Sequence, residues 1–155
     1  MGRGDLSRLL VLVLVLAVAA PAAAAGTISF RVVAHGVARG SAAAEPFGLV
    51  ATSRVAAREL VRHLTTAEAQ PVLRANFRTS TVVGVFGPFG CTDARVRVVR
   101  VTQSGRMLTV HLSMKPIPPG AMECMAVFET VRELVIPRSA LPVTPTKATV
   151  SVAGA

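Results

Sequence analysis

The chain has 155 residues, of which 52% are hydrophobic, and its 17 Lys and Arg against 8 Asp and Glu give a formal net charge of +9. That length makes one domain with a real core, and the charge favours anionic partners over basic ones. With no Trp or Tyr and only six Phe, the sequence disfavours nucleic acid held by base stacking and aromatic sugar-binding platforms.

The first predicted element is a leader. Arg3 and Arg8 flank the start of an apolar run over residues 9–20, and Pro21 and four alanines follow. A charged start, an apolar centre and an Ala-x-Ala end are the parts of a secretory signal peptide. The expected cut after Ala25 divides the chain into a signal peptide, 1–25, and one secreted domain, 26–155. Such a protein is secreted, periplasmic or held in the cell envelope. The alternative is a leader kept as an anchor, because the stretch 9–25 sits at the short limit for spanning a bilayer. No later apolar run is long enough to cross a membrane.

Residues 28–33, with β-branched and aromatic side chains, predict a first strand. Residues 35–46 read as a Gly-, Ala- and Ser-rich loop. Ser53 is placed to cap a helix running to about Leu64. Ala56, Leu60, Val61 and Leu64 recur at helical spacing, with Arg54, Arg58 and Arg62 on another side. Residues 65–70 and Pro71 are expected to end that helix. Residues 81–86 form a short β-rich run stopped by Gly87-Pro88-Phe89-Gly90. Residues 95–102 and 107–114 predict a hairpin turning at Ser104-Gly105, with Arg95 opposite about Met114. Val96, Val98, Leu108, Val110 and Leu112 are its expected core, while Arg95, Arg97, Thr109 and His111 face solvent. Val101 is out of step with Val96 and Val98, and a bulge near Val99-Arg100 would restore it to the core. A Pro-rich loop over 116–120 precedes strands predicted at 124–128, 133–136 and 148–152. The sum is an α+β domain: a mainly antiparallel sheet or sandwich of about five to seven strands with one helix.

Cys91 and Cys124 are the only cysteines. In an exported chain two cysteines most often pair, and closing this loop would contribute roughly 3.5–4 kcal/mol. The bond would fasten the Pro-rich loop to the turn before the hairpin and make one recognition surface of them. Without a CxxC spacing the pair is a poor metal signal, and no metal or cofactor is expected.

Catalytic chemistry finds little to use. After the leader there is one Asp, Asp93, and the three histidines are His35, His63 and His111. No Gly-x-Ser-x-Gly elbow, HExxH, P-loop or Gly-x-Gly-x-x-Gly occurs. Glu129 and Glu133, four apart, are a poor candidate acid–base pair. His63 at a helix end reads as a partner of the helix dipole. A small exported hydrolase with an unfamiliar site near His111, Asp93 or Glu123 is the alternative to a non-enzyme.

Over residues 76–141, Phe77 leads into Val82-Val83-Gly84-Val85-Phe86-Gly87. A hairpin with Val96-Arg97-Val98-Val99-Arg100-Val101 and Leu108-Thr109-Val110 comes next, and a Pro-rich loop ends in Leu134-Val135-Ile136-Pro137. This arrangement resembles a family of secreted bacterial domains, the C-terminal domain of PrcB, an accessory subunit of a spirochaete surface protease complex. Where that family tends to carry Gly-Gly-Tyr, this chain has Cys91-Thr92-Asp93. The resemblance implies a non-catalytic module tied to protein interaction, and it assigns no functional residue. The expected function is therefore an exported module that binds a protein or an anionic envelope component.

Overall fold

The computed structural model describes residues 26–40, 43–90, 95–116, 118–120 and 128–153. Among them the order is β1 (Arg31–Val37), β2 (Phe47–Ala51), α1 (Arg54–Arg62), α2 (Thr66–Arg74), β3 (Ser80–Gly87), β4 (Val96–Ser104), β5 (Met107–Met114), β6 (Thr130–Pro137) and β7 (Lys147–Ala153). The seven strands make one sheet in the order β1-β6-β3-β2-β7-β5-β4. Neighbours are antiparallel except β5 and β7, which run parallel. The α+β class stands, but the sheet is mixed, and two helices replace the one expected.

The sheet is curled, and one segment touches both of its edges. Thr27 bridges Thr102 of β4, and the Ile28 N–H donates to the Val101 carbonyl at 2.9 Å. From Arg31 the same chain pairs with β6. The concave side encloses Val83, Val85, Val96, Val101, Leu108, Val110, Leu112, Leu134 and Ile136, all buried. On the convex side the helices pack Ala57, Leu60, Leu64, Ala69 and Val72 against Val82, Phe86 and Val131. Strand β3 is thus covered on both faces, which is why its apolar residues run without alternation. Gly84 marks the docking point of α1: a Cβ there would fall 2.3 Å from Leu60 Cδ1.

Helix α1 begins as expected, with the Ser53 hydroxyl accepting the Ala56 N–H at 3.2 Å. Pro71 does not stop a helix. It lies inside α2, a separate helix that starts after Thr65 and buries Ala69 and Val72. Tertiary burial of that apolar face outweighs the hydrogen bond that proline removes, which alone is worth on the order of 1 kcal/mol. The loop expected over 35–46 is also shorter, because β1 runs to Val37 and β2 starts at Phe47.

The hairpin carries the anticipated bulge, with its register shifting between Val98 and Arg100 and Val99 pushed outward, 56% exposed. Val96, Leu108, Val110 and Leu112 are buried, Val98 is half-buried and Arg97 is exposed. Arg95, Thr109 and His111, expected in solvent, are half-buried. The turn is Gly105-Arg106 between Ser104 and Met107, and together with the bulge it places Val96 rather than Arg95 opposite Met114. Gly105 takes φ +55°, a conformation that favours glycine. The signal peptide over 1–25, Cys91, Cys124 and their bond, Asp93, Glu123 and most of the strand expected at 124–128 lie outside the described residues.

Candidate anion-binding groove

The convex face has a basic groove where α1 begins and α2 ends. Thr52, Ser53 and Arg54 at the start of α1 face Arg74 and Ala75 at the end of α2 across a cavity of about 630 Å³, which Phe77 and Arg78 also line. A second cavity of about 470 Å³ lies between α2 and the start of β1, lined by Arg31, Val32, Pro71 and Ser80 among others. The two share a wall, Arg74-Ala75-Asn76. Among the described residues neither lining contains an acidic side chain.

Local structure fixes that wall. The Ala75 N–H ends α2 by donating to the Val72 carbonyl at 3.2 Å. Asn76 then builds a turn: its Oδ1 accepts the Arg78 N–H at 3.1 Å and its carbonyl accepts the Ser80 N–H at 2.9 Å. Arg138 braces the rim from below, donating from Nη2 to the Thr52 carbonyl at 2.7 Å. The described residues show an ion pair between Arg62 and Glu59 at 2.7 Å, and none for Arg31, Arg54, Arg74 or Arg78. Four guanidinium groups thus stand on one surface without a neutralising carboxylate, an arrangement suited to bidentate contact with oxyanions.

The sequence groups Arg54 with Arg58 and Arg62 as one helix side, and in the structure all three are exposed along α1. Arg54 joins the groove, while Arg62 is occupied with Glu59. Arg31, Arg74 and Arg78 carry no motif, and their only sequence signal is the excess of arginine.

Glu129 and Glu133, the poor candidate acid–base pair, have different neighbours. Glu129 precedes β6 and accepts the Ala43 N–H at 2.9 Å. Glu133, fully buried within β6, lies between Ala34 of β1 and Gly84 of β3, two positions with little or no side chain. Its companion is Glu68 of α2, whose carboxyl occupies the space where a Cβ on Gly36 would stand. Burial first, and Glu68 second, push Glu133 up to about 7 from 4.5. Neither Glu133 oxygen has a hydrogen-bond partner, and a side chain so enclosed does not meet a substrate.

The histidines stand apart. His63 caps the end of α1, and its ring packs against Phe47 and Phe86 at 6.0 and 5.5 Å. His111 Nε2 is 3.1 Å from Thr102 Oγ1 on the neighbouring strand. His35 on β1 faces Arg132 in register. Among the described residues no group of three or more His, Cys, Asp and Glu could hold a metal, and no helix is long and apolar enough to cross a membrane.

A third, smaller cavity of about 150 Å³ lies at one end of the sheet interior, lined by Thr81 and Arg138 among others. Thr81 is fully buried, and its hydroxyl has no partner. Thr81→Val should therefore leave stability unchanged or raise it by up to about 1 kcal/mol. Urea denaturation checks this, and a loss of that size would mean that the hydroxyl is bonded. No protein-family model, curated protein or solved structure matches this chain, so the groove is interpreted from its own chemistry.

Proposed function

We propose that the protein is a non-catalytic exported module that binds an anionic partner at the cell envelope through the arginine groove. The observation that carries this reading is the set of Arg31, Arg54, Arg74 and Arg78 around two joined cavities, with no carboxylate beside them among the described residues. The leader expected over residues 1–25 supports the compartment, and the resemblance to the PrcB accessory module supports a binding role. The test is sedimentation of purified protein with an envelope fraction of the producing cell. The triple variant Arg54→Ala, Arg74→Ala, Arg78→Ala should bind at least about tenfold more weakly, since charge-assisted bonds are each worth roughly 1.5–3 kcal/mol. Arg97→Ser, on the exposed side of β4, should bind like the parent. Equal binding by the triple variant and the parent would refute the reading.

A further inference from the structure

We infer that the ligand of the groove is a linear phosphodiester polymer with short carbon linkers, lying across both cavities with Arg74 at the crossing. This rests on the reading of the groove given above and names its ligand class.

Shape is the first argument. A single compact anion would occupy one cavity and leave guanidinium groups of the other uncompensated. Arg54 and Arg78 line only the larger cavity, Arg31 lines only the smaller, and Arg74 belongs to both. A ligand that meets all four must carry several negative charges along a flexible chain. Its second contact is then made at high effective concentration, so affinity grows with chain length.

Chemistry is the second argument. Every cationic group of the two linings is arginine, and a planar guanidinium fork meets two phosphate oxygens at once. Thr52, Ser53, Asn76 and Ser80 add neutral polar groups along the same path. The smaller cavity also has apolar walls, at Val32, Val33, Pro71 and Val135. Guanidinium groups and apolar wall in one lining suit a polymer whose phosphates are separated by short carbon units. Among the described residues Phe77 is the only aromatic side chain in either lining, so they offer no series of the stacking platforms a nucleic acid uses.

The experiment is calorimetric titration of the purified protein with oligo(glycerol phosphate) of about two and about ten repeats. Inorganic phosphate, polyglutamate and a single-stranded oligonucleotide of matched charge are the comparison ligands. The longer oligomer should bind at least about tenfold tighter than the shorter one and weaken steeply with salt. Arg74→Glu, and independently Arg78→Glu, should abolish that length dependence, while Arg97→Ser should keep it. Equal affinity for long and short oligomers would overturn the proposal, as would a length dependence that survives both variants. Tighter binding of polyglutamate would reassign the ligand to a carboxylate polymer, and tighter binding of the oligonucleotide would reassign it to nucleic acid. If the phosphate polymer fails while envelope binding still needs Arg54, Arg74 and Arg78, the ligand class falls and the groove stands. If both fail, both readings fall.

Discussion

Glu133→Gln should melt above the parent protein at pH 8 and lose that advantage near pH 4.5. Glu133 is fully buried beside Glu68, and its pKa is raised from 4.5 to about 7. Below 4.5 the carboxyl holds its proton in both the folded and the unfolded chain, and ionisation costs the fold nothing. Between 4.5 and 7 the unfolded chain ionises while the folded one keeps its proton, so stability falls as pH rises. Above 7 both states are ionised, and the loss levels off at about 3 kcal/mol. Glutamine has no ionisation to lose and should show no such slope. Glu68→Gln should reduce the slope only in part, because burial is the larger cause. Urea midpoints at pH 5, 6, 7 and 8 measure it. Parallel curves for the parent and Glu133→Gln would show that Glu133 titrates as an ordinary surface carboxylate.

Val110→Asp should leave no folded protein. Val110 is fully buried on β5, paired with Val101 of β4 on one side and Val150 of β7 on the other. An unpaired carboxylate there costs several kcal/mol or more, comparable with the whole stability of a domain this size. Arg97→Ser, on the exposed side of the same hairpin, should change stability by less than about 0.5 kcal/mol. Soluble yield and urea denaturation compare the two. Equal effects would mean that the hairpin register differs from the one described.

The hairpin was the most legible part of the sequence, because its information is local. Alternation on β5 and the phase slip of Val101 locate the buried face and the bulge without reference to any other strand. The partner of β7 was not legible. Its parallel contact with β5 depends on a chain that crosses the sheet, and an alternating pattern names a face but not a neighbour. Helix α2 was hidden by Pro71, a signal that reads as a stop until tertiary burial of Ala69 and Val72 is known. Sequence spacing points Glu133 toward Glu129, while folding brings Glu68 to it from a distant helix. The groove was the least legible feature, since its four arginines come from β1, the two ends of the helix pair and a turn.

The segment joining both sheet edges has a consequence for how the chain comes into being. A polypeptide emerging amino end first presents Thr27 and β1 early, yet their partners are Thr102 on β4 and the whole of β6. Strands β2 and β3 also wait, the first for β7 and the second for β6. Pairing between residues so far apart in sequence is slow and comes late. The sheet therefore cannot close until residues 130–153 are free of the machinery that delivers them. Until then β3 lacks its β6 neighbour and its interior face, with Val83 and Val85, stays uncovered, so the chain depends on protection from self-association.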